Sequence, residues 1–213
     1  MKLFPKLYIL FLMLFLSSLL QAQNISSLKK FSKLSRPEKC WVLQHPFVTK
    51  KTLTITQKVL LVTDSIAKTT TLDGDKSGGQ VDAFRHAYWM ASLAQSIGWR
   101  KALKLGRAHE KSNYIDFKKH RLEDGQHPDK ASGDMDIYNN KVGIEIVKAN
   151  KNIIDKNLQL LVISAIEAGR MKIIKKDILG NFLDENNNII PTDSLKGKWN
   201  NGKCLVNSDL KRK

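Results

Sequence analysis

The sequence predicts a mainly α, single globular domain that ends in a short β-hairpin-like or irregular segment. Three observations lead there. Apolar residues recur at helical spacing from residue 37 to about residue 170. From Met171 onward that spacing gives way to short apolar pairs separated by Asp, Asn, Gly and Pro. A chain of 213 residues, 42% of them hydrophobic, can bury one core and has the size of one domain.

Residues 1–23 carry Lys2 and Lys6, the apolar run from Leu7 to Leu20 and the tail Gln21-Ala22-Gln23, the pattern of a secretory signal peptide. The run is short for a membrane span. No Cys follows the expected cut near Ala22 or Gln23, so the mature chain is expected to be exported, periplasmic or secreted, with no lipid anchor and no transmembrane helix. Residues 24–36 read as a loose basic leader.

The helical part, 37–170, opens with Pro37 in a first turn, Glu38 in the acid-favoured position and Trp41 as core anchor, and Pro46 stops this short helix. A second helix carries Ile55, Val59, Val62 and Ile66 and ends at Thr69-Thr70-Thr71. The third is expected from Gln80 to Ile97 with a break at Gly98, the fourth from Trp99 to Tyr114, the fifth from Ser132 to Lys151 and the sixth from Asp155 to Gly169. The sixth is apolar nearly all round, which predicts a central position. In the cap, 171–213, the pairs Ile173-Ile174, Phe182-Leu183 and Ile189-Ile190 read as hairpin-like strands or as an irregular cap packed on the helices.

Lys and Arg number 36 against 20 Asp and Glu, a formal charge of +16. Losing Lys2 and Lys6 with the leader leaves 34 against 20. That balance is either a solvated Lys-rich surface or a means of holding an anionic envelope component, a lipid headgroup or a cell-wall polymer. Nucleic acid also fits the charge, but no aromatic stacking motif supports it. The only cysteines, Cys40 and Cys204, stand near the two ends of the mature chain. They could pair in an oxidising compartment or remain two buried thiols. Neither has neighbours that would make it a nucleophile.

Polar residues fall on the apolar faces of three helices. On the third, Asp82 and His86 share an arc with Trp89, Met90, Leu93 and Ile97, and the spacing of four lets the carboxylate reach the imidazole. On the fourth, His109 and Glu110 continue the stripe of Ala102, Leu103 and Gly106. On the fifth, Asp136, Asn139 and Asn140 fall with Val142, Ile146 and Val147, and Gly143 allows a close approach. Buried polar groups cost about 1 to 3 kcal/mol each unless paired, so three such helices suggest one shared network.

Three readings of that network stand side by side. His86, His109 and Asp136 form a ligand set suited to zinc or a similar divalent ion, with Glu110 as general base on bound water. Alternatively, Asp82 orients His86 in a metal-free acid–base site with Glu110 or Asp136 as partner. In the third reading the residues form a hydrogen-bonded core that fixes helix register. No HExxH or CxxC decides among them. Asp73, Asp75 and Ser77 match the first half of an EF-hand calcium loop, yet Phe84 stands where a bidentate Glu is required. His45, His120 and His127 read as surface residues.

The strings GGQVDAFRHAYWMAS (78–92), AHE (108–110) and MDIYNNKVG (135–143) resemble a family of uncharacterised bacterial helical domains marked by RHAYW, HE and MDxxNN segments. The likeness extends upstream through PEKCWVLQHPF and downstream to LKGKW. It implies a helical domain of exported or toxin-associated proteins and singles out Arg85, His86, Trp89, His109, Glu110, Asp136, Asn139 and Asn140, without implying a reaction. The expected function is a hydrolase using a His/Glu/Asp site on an anionic or cell-envelope substrate, with Arg85 stabilising charge. The competing expectation is a non-enzymatic envelope binding protein. A secreted phospholipase is a weaker third, since the Asp that would follow the active-site His is Ala87 here.

Overall fold

The structure is a computed structural model, and it describes residues 31–122, 127–150 and 153–210. The expected signal peptide and most of the basic leader lie outside the described residues. Helix α1 (Arg36–Gln44) starts with a reciprocal cap: Glu38 N–H donates to Ser35 Oγ, and Ser35 N–H donates to Glu38 Oε2. Trp41 is buried and its Nε1–H donates to the Lys101 carbonyl, 3.1 Å away, which ties α1 to the helix that begins at Trp99. Pro46 ends α1 and also opens α2 (Pro46–Ile66), because a missing N–H costs nothing in a first turn.

Helix α3 (Gln80–Ile97) is the axis of the molecule. It packs against α2, α4 (Trp99–Lys118), α5 (Lys130–Ala149), α6 (Asp155–Glu167) and the first strand. Both core clusters draw on it, through Phe84, Ala87, Tyr88 and Ala91 in one and Met90, Leu93, Ala94 and Ile97 in the other. The expected central role of the sixth helix is therefore corrected. In α6 only Leu158, Val162, Ala165 and Ile166 are buried, while Leu160 is 57% exposed. Its apolar circumference reflects composition, whereas the small residues of α3 let four helices reach it. The closest approach is at Gly143 of α5, where a Cβ would stand 2.0 Å from the Ala87 carbonyl oxygen. Gly98, at φ 89°, breaks α3 from α4 as expected.

The cap is the short, partly irregular antiparallel segment expected, with only the first of the three apolar pairs in a regular strand. Strand β1 (Lys172–Ile174) pairs antiparallel with β2 (Leu205–Asn207), Ile173 facing Val206, with the short helix α7 (Thr192–Leu195) between them in sequence. Phe182 and Ile189 make only isolated bridges, to Lys176 and Leu183. Leu205-Val206 drew no notice in the sequence because a three-residue strand carries almost no periodicity.

Two Lys–Asp pairs, one buried and one half-buried, fasten the cap to the helices. Lys203 Nζ lies 2.6 Å from Asp129, the N-cap of α5, and Lys176 Nζ lies 2.6 Å from Asp75, just before α3. Both lysines also sit over the Phe182 ring. The possible Cys40–Cys204 disulfide is not formed: both are free thiols, Cys40 exposed and Cys204 half-buried. Cys40 rides on α1, which packs on α4, while Cys204 precedes β2 and its carbonyl accepts from Lys175 N–H. Among the described residues no helix is long and apolar enough to cross a membrane.

Candidate functional site

The loop before α3 sets the first part of the site. Asp73 Oδ2 accepts from Gln80 N–H at 2.9 Å while Gln80 Oε1 accepts from Asp73 N–H, a reciprocal cap at the helix start. Gly78 then donates its N–H to Asp82 Oδ2 at 2.7 Å, which orients that carboxylate on the first turn. The calcium-like residues are thus used locally: Asp73 and Asp75 accept loop N–H groups, and Lys176 holds Asp75.

One turn on, His86 Nε2 is 3.5 Å from Asp82 Oδ1 and 3.2 Å from Asp136 Oδ1 on α5. Arg85 Nη2 lies 2.7 Å from Asp82 Oδ1 and 3.2 Å from the same imidazole nitrogen. All three of Asp82, His86 and Asp136 are buried, and donor atoms of the three lie within 4.8 Å of one another. Burial, the Arg85 charge and the nearby His109 push His86 well below its ordinary pKa, while the Asn140 amide works the other way.

His109 stands apart from this trio. Its ring centroid is 6.5 Å from that of His86, and it packs edge-on against Trp89. Its Nδ1 is 3.2 Å from Glu38 Oε1. Burial works to raise the Glu38 carboxyl, but the His109 hydrogen bond and the Ser35 contacts outweigh it and leave that group below its usual value. Glu38 is the site residue that sequence reading missed. The pattern Ser35-x-x-Glu38 signals a helix cap, but nothing local signals a partner 71 residues away.

The other expected site residues divide in two. Arg85, His86, Trp89 and His109 line one cavity of about 740 Å³, and Glu38, against His109, lines it too. Lys33, Arg36, Lys39 and Arg121 outnumber the acidic Glu38 and Asp116 in the same lining. Glu110 is buried and accepts from Asn113 Nδ2 at 3.2 Å, near Gly133 on the first turn of α5. Asn139 serves the cap, since its Nδ2 donates to the Lys172 carbonyl and its Oδ1 accepts from Lys172 N–H. Asn140 is buried beside His86 and against Gly106 of α4. His120 and His127 are exposed, and His45 stacks half-buried on Trp41.

No curated protein and no solved structure matches the chain. A family described as Domain of unknown function (DUF6973) matches residues 39–170, a stretch that runs from α1 through α6 and contains every member of the buried trio. This chain belongs to that family, DUF6973.

Proposed function

We propose that this protein is a hydrolase of anionic esters, working in the cavity onto which Arg85, His86 and His109 open. The observation that carries the reading is the convergence of two imidazoles and a guanidinium on one basic cavity, each imidazole backed by a carboxylate. A water in the cavity gives its proton to the Asp82–His86–Asp136 centre and bonds to the phosphorus or carbonyl carbon of the ester. The leaving oxygen takes a proton from His109, and Glu38 holds that ring in orientation. Arg85 and the cationic rim neutralise the substrate and the charge that builds on it.

The test is turnover of bis(4-nitrophenyl) phosphate and of anionic phospholipid vesicles by the mature chain, beside His109→Gln and Arg85→Gln. Loss of about 10²-fold or more in the folded His109→Gln protein supports the acid–base assignment. A folded parent that turns over neither substrate class overturns it.

A second reading, an envelope binding protein without catalysis, draws support from the cationic side chains of the cavity rim. It requires vesicle binding that weakens steeply with salt and no turnover. We also infer export, on the strength of the Lys2/Lys6 start, the apolar run and Gln21-Ala22-Gln23. A protein recovered outside the cytoplasm with its N-terminus near Asn24 bears this out, and retention of Met1 on the recovered chain refutes it.

A further inference from the structure

We propose that Asp82, His86 and Asp136 bind one divalent metal ion of the zinc type, His86 through Nε2 and each aspartate through one carboxylate oxygen. The first argument is distance. Ligands about 2.1 Å from a tetrahedral ion stand about 3.4 Å apart. His86 Nε2 lies 3.5 Å from Asp82 Oδ1 and 3.2 Å from Asp136 Oδ1. Two of the three ligand separations thus match a tetrahedral ion, and the donor atoms of all three residues lie within 4.8 Å of one another.

The second argument is rigidity. Asp82 and His86 sit four apart on one helix, Asp82 is held by the Gly78 N–H, and α3 meets α5 at the Ala87–Gly143 contact, one residue from His86. The donor set is therefore built by packed backbone and not by long surface rotamers.

The third argument is charge. Two buried carboxylates converge on one imidazole nitrogen, a cluster of negative charge that a divalent ion would match at both oxygens at once. Arg85 approaches the same two ligands from the cavity side, with a quarter of its side chain exposed. A bound ion takes over the imidazole nitrogen and frees the guanidinium to turn into the cavity. Asn140, beside the same ring, is the kind of outer partner that fixes the orientation of a ligating histidine. One nitrogen and two oxygens leave a fourth position open, the pattern of catalytic rather than structural zinc.

This inference deepens the hydrolase reading: with His86 Nε2 committed to the ion, the water's proton passes to the second oxygen of a ligand aspartate and the ion would lower the barrier to that transfer, and the inference relies on that reading only for the ion's role. The test uses the mature chain stripped with a strong chelator and titrated calorimetrically with Zn²⁺ alone, and in parallel with Co²⁺ followed by visible absorption. We expect one ion per chain and the intense visible bands of four-coordinate Co²⁺. In Asp136→Asn and His86→Gln, with circular dichroism unchanged, Zn²⁺ affinity falls at least about 100-fold. In Asn140→Ala it falls by about 10- to 100-fold, and in His109→Gln it is unchanged.

The proposal is overturned if the folded parent binds no Zn²⁺, or if folded Asp136→Asn binds as the parent does. It is equally overturned if His109→Gln abolishes binding, which would shift the ligand set to His109. Should the ligand variants fail to fold, the parent's Co²⁺ spectrum together with Asn140→Ala decides. Because the readout is the ion itself, absence of hydrolysis leaves a positive result standing, and absence of binding leaves the hydrolase reading to acid–base chemistry alone.

Discussion

The cap and the polar centre both bury carboxylates, and they treat them differently. Where the cap meets the helices, Asp129 receives Lys203, the Ser132 N–H and the Asn201 amide, while Asp75 receives Lys176 and the Ser77 N–H. The Lys203 and Asp129 side chains are only 6% and 3% exposed, and each cation has one aspartate of its own. In the centre, Asp82 and Asp136 share one imidazole, and the guanidinium on Asp82 is open to a cavity. The cap's charges are matched inside the fold, which is how a structural ion pair is kept. The centre's positive partner can leave, which suits a site that exchanges ions or substrate. Gly78 joins the two regions: its N–H holds Asp82, and its carbonyl accepts from Ile174 N–H in β1.

Breaking the cap pair gives the largest expected effect. Lys203→Met leaves Asp129 buried beside an apolar chain and should cost about 3 to 5 kcal/mol in urea unfolding. Adding Asp129→Asn, which removes the charge and keeps an oxygen to cap α5, should recover part of that loss, and a double variant no more stable than the single would show that the lysine acts through packing. Gly143→Ala comes next. Its methyl meets backbone at Ala87, which cannot rotate away, so about 1 to 3 kcal/mol of stability should be lost, together with the centre's geometry. Equal stability of parent and variant would mean the α3–α5 contact does not set the site.

Asn139→Ala removes two hydrogen bonds to Lys172 and should destabilise by about 1 to 3 kcal/mol. Amide exchange should rise in β1 first, and a rise confined to α5 would contradict its role in docking the cap.

Acid sharpens the contrast further. Burial raises the Asp129 carboxyl, but the Lys203 charge and the hydrogen bonds outweigh it and hold it below its ordinary 3.8. A carboxyl lowered in the folded state contributes stability that is full above the unfolded value and is lost as pH falls through the folded one. Unfolding followed below pH 4 should therefore show a steeper acid dependence in the parent than in Lys203→Met; parallel curves would count against the pair. The smallest effect is expected in the centre, where Asp136→Asn keeps the shape and removes one of two like charges. Its stability should change by less than about 1 kcal/mol, and a loss as large as that of Lys203→Met would make the centre a structural pair like those in the cap.

Much of the helical framework was legible along the chain. Gln80–Ile97 was readable to the residue because Gly79 and Gly98 bound it. The fourth helix ran four residues further, to Lys118, since Ile115 and Phe117 continue an interrupted stripe. The Asp82–His86 pair was readable too, being one turn of one helix. Glu38 was not legible as a site residue, nor was the use of Asn139 by β1, because both partnerships join segments far apart in sequence.

Periodicity reports how each helix is turned about its own axis, and so the sequence by itself determined the helical class, most helix bounds and the inward direction of Asp82, His86, His109 and Asp136. It carries no information on the height and distance at which two helices meet. Only the tertiary structure decided that α3 is the axis, that Gly143 lets α5 rest on Ala87, and that Asp136 thereby stands beside His86 while His109 faces Glu38. The physical reason is that such contacts depend on side-chain volumes at the crossing point, which is a property of two segments together and of neither alone.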